Sequence, residues 1–227
     1  EILIQIFKKL RVKFYIQQNY IKSNIFFSYN YMDTQQRLKC PDPTYPPDFP
    51  PPPIENMKTL IFDLDDTLVH TTTSPSNSNI DSFQFGNPPY YVLERPGLPQ
   101  LLQKYSKLFD IFIFTSGERF YADPIINVIW PFLDEQHRLF RNSCTVENLE
   151  MRKDLTAFKR PENEIILVED NVFLKKFYPK NTIIVPRFSG SPKDNILTDW
   201  LPSILDNCAS SNDVREIIGN IDDCNYY

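Results

Sequence analysis

Paired cysteines, glycine and long apolar runs are scarce or missing in this sequence. Its 227 residues include only five glycines against twenty prolines, which predicts stiff connections rather than glycine-rich loops. The four cysteines form no CxxC pair and no metal-ligand spacing, so we expect reduced thiols, as in the cytosol or nucleus. No apolar run approaches the roughly 18 residues that a membrane-spanning helix needs, and we predict no span.

An excess of positive charge is missing as well. The whole chain carries −5 and its first 31 residues carry +4, so residues 32–227 carry −9. A body this acidic repels the phosphate backbone, and we therefore predict no direct binding of nucleic acid. The hydrophobic content of 41%, with 14% aromatic residues, is enough to fill the core of one α/β domain, which we expect to be monomeric.

Two segments at the N-terminal end differ from the rest in composition. Residues 1–31 contain no Gly, Ala, Pro, Asp or Thr. They are read either as a basic targeting segment, which would favour mitochondria, or as translated upstream sequence before Met32, and we favour the second. Residues 32–56 include CPDPTYPPDFPPPP, in which proline excludes a helix or a central strand. We predict a polyproline II linker there, with a ligand for SH3 or WW domains as the alternative.

Residues 57–219 have the pattern of one domain, and residues 220–227 that of a tail. Short apolar runs, typical of strands buried on both faces, are KTLIFDL (58–64), DIFIFT (110–115), EIILVE (164–169) and TIIVP (182–186). Helical patterns separate or follow them, at 97–108, 118–133, 171–178 and 203–219. This alternation predicts a doubly wound α/β fold, with a parallel sheet flanked by helices. The runs SFQF and YYVLE predict a small β-hairpin inserted after the first strand.

Polar side chains follow the predicted strands at the point where each strand ends. Ligands of doubly wound folds bind at this edge of the sheet. Carboxylates crowded there call for a hard cation such as Mg²⁺, and a hydroxyl and a lysine nearby suit a phosphate. An aspartate beside Mg²⁺ can itself be a nucleophile, so the spacing indicates phosphoryl transfer. The residues are Asp63, Asp65, Asp66, Thr67, Thr115, Ser116, Gly117, Arg152, Lys153, Asp154, Glu169, Asp170 and Asn171.

The sequence resembles the phosphatases of the haloacid dehalogenase superfamily through its DLDDT run, which matches the signature DxDxT. More narrowly, it is similar to the small phosphatases that act on the C-terminal domain of RNA polymerase II and to NLI-interacting-factor-like proteins. The similarity extends over about residues 57–219, in family order. Its motifs are YVLERPGL (91–98), IFIFTSGERFYADPI (111–125), HRLFRNSC (137–144), RKDL (152–155), ILVEDN (166–171) and DNILTDWLPSIL (194–205).

The resemblance implies a catalytic role for four residues. Asp63 would be the nucleophile, and Asp65 would protonate the leaving Ser or Thr oxygen and then activate water. Thr115 and Lys153 would hold the phosphate oxygens, with Lys153 also offsetting carboxylate charge. Side chains two apart on an extended chain face the same way, so Asp66 is set apart and receives no chemical step.

The resemblance also implies a Mg²⁺ site. Asp63 and the backbone carbonyl of Asp65 would face the metal, Asp170 would complete the site, and Asn171 would lie in its outer shell. Glu169 stands where the family usually has an apolar residue, so it would either tune metal binding or point away from the metal.

The resemblance also implies residues that contact the substrate. Arg138 resembles the family's substrate-binding arginine. Aromatic residues of the hairpin could line a pocket beside the phosphoserine, although the Ser/Asn-rich segment 71–90 does not follow the small phosphatases closely. The residues assigned to the substrate are Thr67, Ser116, Arg138, Phe83, Phe85 and Tyr91.

Together these observations predict a Mg²⁺-dependent protein serine/threonine phosphatase that hydrolyses phosphoserine through an aspartyl-phosphate. The expected partner is a phosphoprotein such as the RNA polymerase II C-terminal repeat, and the expected location is nuclear or cytoplasmic. The alternative is a binding subunit like the member of the same domain family in the mitochondrial inner-membrane translocase. A small-molecule phosphatase is disfavoured, because no sizeable helical cap domain fits after either of the first two buried strands.

Overall fold

A five-stranded parallel sheet forms the centre of the protein. The computed structural model describes residues 47–75, 79–147 and 150–221, so the expectations for residues 1–31, for most of the linker and for most of the tail lie outside the described residues. The strands in this sheet are β1 (Lys58–Phe62), β5 (Phe109–Phe114), β6 (Arg138–Leu139), β9 (Ile165–Glu169) and β10 (Thr182–Ile184), in the order β10-β9-β1-β5-β6. All the pairings are parallel, which confirms the predicted doubly wound α/β fold.

The apolar runs fold as strands because both faces of the sheet are covered. All five residues of β9 and all six of β5 are buried. One face packs on a cluster that includes Ile61, Phe112, Phe114, Phe158 and Leu167. Cys144 lies in the same cluster, and burial raises the pKa of its thiol to about 11.

Two smaller sheets flank the central one. Strands β2 (Val69–Thr72), β4 (Tyr90–Glu94) and β3 (Ser82–Phe85) form an antiparallel sheet in the order β2-β4-β3. It contains the predicted hairpin, whereas β2 was not foreseen because its residues, VHTT, are too few and too polar to stand out. Strands β7 (Thr145–Glu147) and β8 (Glu150–Arg152) form a second hairpin that the sequence pattern did not indicate.

Three of the four stretches predicted as helical contain α-helices, but the stretch 203–219 is two helices rather than one, because Asp213 caps a new helix after the break at residues 211–213. The helices are α1 (Leu98–Tyr105), α2 (Arg119–Ile129), α3 (Leu201–Ser210) and α4 (Val214–Ile218). Helix α2 contains Pro124 as its sixth residue, so the hydrogen bond that an N–H there would donate to the carbonyl of Phe120 is absent, and the helix ends before Pro131. The stretch predicted as helix at 171–178 is a short 3₁₀ turn, Val172–Lys176. None of the helices in the described ranges has the length and apolar character of a membrane span.

Gly97 is required by its backbone conformation and by a close contact with the C-terminal part of the domain. Its φ of 87° lies in the left-handed region, just before helix α1. A Cβ added there would come within 2.5 Å of the side chain of Thr198. The glycine therefore lets the turn into α1 approach the C-terminal segment closely.

Arg95 joins three segments that surround the first strand. Its side chain is fully buried and donates to both carboxylate oxygens of Asp194, each at 2.9 Å. It also donates to the carbonyls of Thr67 at 3.0 Å and Pro186 at 2.8 Å. This guanidinium holds the loop after β1, the segment after β10 and the start of the C-terminal helical region in one arrangement.

Replacing Arg95 should destabilise the fold strongly. Arg95→Met removes all four hydrogen bonds and leaves the partly buried Asp194 carboxylate unpaired, so we expect a loss of about 3–5 kcal/mol in the free energy of unfolding. Urea denaturation followed by circular dichroism measures it. Arg215→Met, which breaks a partly exposed pair with Asp213, is the control and should shift the midpoint much less. Equal shifts for the two variants would contradict the joining role of Arg95.

Candidate active site

Asp63 lies at the carboxyl end of the central strand, directly after β1. Its backbone N–H donates to the carbonyl of Val168 at 2.9 Å. Because Phe62 pairs with Val168, the next position along the two parallel strands brings Asp63 level with Glu169. Both side chains are buried, with exposed fractions of 6% and 2%. Two carboxylates with so little water around them repel each other unless a cation lies between them.

Lys153 supplies that cation. Its Nζ lies 2.5 Å from Oδ1 of Asp63 and 2.6 Å from Oε2 of Glu169, and its side chain is buried like theirs. Burial alone lowers the pKa of this ammonium, but Asp63 and Glu169 together outweigh burial and raise it. Burial in turn raises the pKa of Asp63, an effect that Lys153 opposes and Glu169 reinforces. Lys153 is therefore a charged group at neutral pH that bridges the two strand ends.

Asp65 has a different environment. It accepts a hydrogen bond from the hydroxyl of Tyr121 on helix α2, and the oxygen of this hydroxyl lies 2.8 Å from the hydroxyl of Thr71, which can donate to it. Burial raises the pKa of Asp65 to about 6, although the bond from Tyr121 opposes the shift. A carboxyl group with this pKa can hold a proton near neutral pH and also release it.

Asp66 is set apart from the other two acids, as the alternation predicts. Its φ of 59° turns the chain into the left-handed region, and its Oδ1 lies 2.6 Å from Nδ1 of His70. Its other oxygen lies 3.5 Å from Nε of Arg187, while the backbone N–H of Phe188 donates to its carbonyl at 2.7 Å. Asp66 thus fixes the turn rather than lining the centre of the site.

The acids at the end of β9 complete a possible cation site. One oxygen from each of Asp63, Glu169 and Asp170 lies within 4.8 Å of the others, close to the span of two oxygen ligands around Mg²⁺, which binds them at about 2.1 Å. Burial raises the pKa of Asp170, with Asp63 adding to the effect and Arg187, 3.0 Å away, opposing it. The donor set is all oxygen, so the residues fit a hard divalent cation. The side-chain oxygen of Asn171 accepts the N–H of Phe173 and caps the 3₁₀ turn.

Three residues with hydroxyl groups were assigned to phosphate or substrate. Thr115 is buried at the end of β5, and its Oγ1 accepts the N–H of Gly117 at 2.9 Å. Ser116 is exposed beside it, at the same edge of the sheet. Thr67 is fully buried, and its Oγ1 has no hydrogen-bond partner among the described residues. Thr115 and Ser116 therefore follow β5 at the carboxyl edge of the sheet, where the acids also lie, while the Thr67 hydroxyl is buried without a partner among the described residues.

The two arginines of the HRLFRNSC motif have different surroundings. Arg138 is buried, and its guanidinium donates to the side chains of Asp123 and Asn127 and to the carbonyl of Leu133. These internal partners leave it no exposed group for the substrate-binding role that the sequence suggested. Arg141 lies after β6 at the same edge as Thr115. It is partly exposed and donates to the carbonyl of Ser116 at 2.6 Å and to Glu118 at 2.8 Å.

Sequence alone does not distinguish Arg141 from Arg138, because both arginines flank the same apolar pair, Leu139 and Phe140. The distinguishing signal is position: β6 is only two residues long, so the first arginine lies within the strand and the second lies beyond its carboxyl end. Glu169 was predicted either to tune metal binding or to point away from the metal, since its direction depends on the register between β1 and β9, and the structure has it facing Asp63 and Lys153.

The hairpin brings aromatic rings to the rim of the site. Phe85 and Tyr90 lie opposite each other on β3 and β4, with ring centroids 5.5 Å apart, and the ring of Tyr121 lies 6.0–6.1 Å from both. Since Tyr121 bonds Asp65, this cluster adjoins the proposed acid. Phe83 shares the face of Phe85, whereas Tyr91 belongs to the opposite face and does not join the cluster.

The protein is a doubly wound α/β domain, and four acids and a buried lysine lie at the carboxyl ends of its strands. This fold and this set of residues agree with the class of phosphatases that the sequence resembles. The family model described as NLI interacting factor-like phosphatase matches residues 58–215. The chain therefore belongs to the NLI interacting factor-like phosphatase family, and the predicted resemblance is confirmed.

Named relatives agree with this placement. The chain is 32% identical to Phosphatase PSR1 of Saccharomyces cerevisiae over 71% of its own length and 39% of the relative. It is 30% identical to the CTD small phosphatase-like protein of Homo sapiens, over 74% of the chain and 63% of that protein. It thus spans less than two thirds of either relative. The solved structure of Fcp1, an essential RNA polymerase II CTD phosphatase, matches with a TM-score of 0.50 at 25% identity, covering 67% of this chain and 48% of that one.

Asp65 should limit the stability of the protein at neutral pH. Its pKa rises from 3.8 to about 6 on folding, so the folded state binds more protons than the unfolded state between these values, and stability falls as the pH rises through this window. Asp65→Asn keeps an acceptor for Tyr121 and removes the ionisation. With EDTA present we expect it to be more stable than wild type by about 1–3 kcal/mol at pH 7.

Urea denaturation at pH 4 and pH 7 tests this effect. The gain from Asp65→Asn should shrink toward zero at pH 4, where wild-type Asp65 is protonated in most folded molecules. A gain that is the same at both pH values would show that the ionisation of Asp65 does not cause it.

Proposed function

We propose that this protein is a Mg²⁺-dependent phosphatase that hydrolyses phosphoserine in proteins through an aspartyl-phosphate on Asp63. The observation that carries the proposal is the bridge from Lys153 to Asp63, beside Asp65, which accepts from the hydroxyl of Tyr121 instead. The two acids have different environments, as a nucleophile and a proton donor require. Membership of a phosphatase family supports the same conclusion.

In the proposed first step, a carboxylate oxygen of Asp63 forms a bond to phosphorus while the bond from phosphorus to the seryl oxygen breaks. Protonated Asp65 gives its proton to the departing seryl oxygen. In the second step Asp65 takes a proton from water, which attacks the phosphoaspartate and releases inorganic phosphate. Lys153 and Thr115 donate hydrogen bonds to the phosphoryl oxygens throughout.

The cation would be held by Asp63 and Asp170, with the backbone carbonyl of Asp65 as a further ligand. Among the described residues, the converging carboxylates of Asp63, Glu169 and Asp170 outnumber the buried ammonium of Lys153, and this excess of negative charge suits a divalent ion. When bound, Mg²⁺ neutralises charge on the phosphate and the carboxylates.

The proposed substrate is a phosphoserine segment like the C-terminal repeat of RNA polymerase II. The carboxy-terminal domain of RNA polymerase II appears in the name of a relative, the Homo sapiens small phosphatase 1, which is 30% identical over 63% of the chain. The cluster of Phe85, Tyr90 and Tyr121 beside Asp65 supplies an apolar surface next to the phosphate position. We propose a nuclear or cytoplasmic location, and nothing in the named relatives supports the mitochondrial alternative.

Replacement of either acid should abolish turnover. We expect Asp63→Asn to lower kcat on a phosphoserine heptad peptide by on the order of 10³-fold or more, because the nucleophile is lost. Asp65→Asn should lower it by about 10²- to 10⁴-fold, because the proton donor is lost. Phosphate release with Mg²⁺, and again with EDTA, is the measurement. The proposal would be falsified if wild type and Asp63→Asn turned over equally.

A pair of conservative changes provides the control. Asp63→Glu displaces the nucleophile and should be as inactive as Asp63→Asn. Asp66→Glu changes an acid with no assigned step and should retain activity within about threefold of wild type. If both glutamate variants retained activity, the proposed division of roles would be wrong.

The two arginines should separate stability from substrate binding. Arg141→Ala should raise KM for the phosphopeptide by about 5- to 30-fold with little change in Tm, because this arginine is partly exposed beside Ser116. Arg138→Ala should lower Tm by several degrees, because it leaves Asp123 without its buried partner. Melting curves and steady-state kinetics on both variants distinguish the roles, and a raised KM confined to Arg138→Ala would reverse the assignment.

A further inference from the structure

Glu169 uses both of its carboxylate oxygens inside the site. Oε2 accepts from Nζ of Lys153 at 2.6 Å, and Oε1 accepts the backbone N–H of Asn171 at 3.1 Å. The side chain is buried with an exposed fraction of 2%, so water is largely excluded from both contacts. One carboxylate therefore connects the lysine to the turn that carries Asp170.

Lys153 has three N–H groups to distribute. Asp63 and Glu169 accept two of them, at 2.5 and 2.6 Å, which leaves one for another acceptor. With a single fixed partner the ammonium could move around Asp63, whereas two fixed partners define both the position of Nζ and the direction of its third N–H.

We propose that Glu169 is the positioning residue of the phosphate site: it fixes Lys153 so that the remaining N–H donates to the phosphoryl group attacked by Asp63. This inference rests on the proposed function and deepens it, since it concerns how the same site recognises phosphate. Glu169 touches neither the phosphoryl group nor the leaving oxygen, and it acts through the lysine.

The contacts favour this role over that of a metal ligand. Glu169 belongs to the group of three acids whose oxygens converge, but its two oxygens already accept hydrogen bonds from Lys153 and Asn171. Each of these oxygens keeps a second lone pair, so a cation bound through Glu169 would share an oxygen with Lys153 or Asn171 and would draw charge away from that contact.

The proposal predicts a sign opposite to that of simple electrostatics. Removing a negative charge close to an anion site should tighten phosphate binding if only Coulomb repulsion matters. Loss of the positioning contact should weaken it instead. We expect Glu169→Gln and Glu169→Leu to weaken the binding of inorganic phosphate by about 5- to 30-fold, as for a misplaced charge-assisted hydrogen bond.

The experiment is isothermal titration calorimetry, in which inorganic phosphate is titrated into the full chain saturated with Mg²⁺ and the dissociation constant for phosphate is measured. It uses wild type, Glu169→Gln, Glu169→Leu, Lys153→Met and the double variant Glu169→Gln with Lys153→Met. If Glu169 acts through the lysine, the double variant should bind phosphate within about twofold of Lys153→Met alone. Glu164→Gln removes an equal charge just before the amino end of β9 and should leave phosphate affinity unchanged.

Three outcomes would overturn the proposal. Tighter phosphate binding by Glu169→Gln would show that Glu169 competes with phosphate for the ammonium. Losses that multiply in the double variant would show that Glu169 acts independently of Lys153. A loss of more than about tenfold in Mg²⁺ affinity, titrated separately, would make Glu169 a metal ligand.

Two further measurements separate this result from other effects. Melting curves establish that each variant is folded. Glu169→Leu is the variant expected to lose more stability, because it leaves the buried Lys153 with Asp63 as its one carboxylate partner. Phosphate binding requires no turnover, so failure of the phosphopeptide assay with the expected binding pattern would remove the proposed function alone. If wild type turns over the phosphopeptide but the losses in phosphate affinity multiply in the double variant, only the role of Glu169 is removed.

Discussion

The buried ammonium of Lys153 is the interaction on which the rest of the site depends. Strands β1 and β9 pair in a register that brings Asp63 level with Glu169, and both side chains are almost wholly withdrawn from water. Two carboxylates in such surroundings are compatible with folding only because a cation lies 2.5–2.6 Å from each. The ammonium of Lys153 stabilises the two buried carboxylates and is also the group assigned to the phosphate. The same positive charge therefore serves both the fold and the proposed chemistry.

The acids around this bridge show how the fold differentiates like residues. Asp65 keeps a partly buried carboxyl under the hydroxyl of Tyr121, which suits proton transfer, while Asp66 turns into a separate pair with His70. This division depends on the left-handed turn at Asp66 and on Arg95, which holds the carbonyl of the next residue. The precision of the site is therefore supplied by buried polar contacts outside it.

Much of the fold can be predicted from the sequence, and what cannot be predicted has physical causes. Four strands of the central sheet are continuous apolar runs, so their positions along the chain and the polar residues at their ends follow from the local pattern. The family follows from the motifs. The direction of a side chain after a strand does not, because it depends on register: this is why Glu169 was left between two alternatives and why Arg138 was chosen over Arg141. The direction of Tyr91 depends on register in the same way, since a shift of one residue on β4 exchanges the faces of the hairpin. The roles of Asp63, Asp65 and the other site residues stay predictions.

The unequal lengths of the strands in the central sheet have a consequence for the protein in a crowded solution. The two edge strands are β6, with two residues, and β10, with three, whereas the inner strands have five or six. An edge this short exposes few free backbone donors and acceptors, and so gives another chain little template on which to add a strand. The most apolar segments of the molecule, which would aggregate readily if exposed, are thus enclosed on both sides by strands too short to recruit a neighbour.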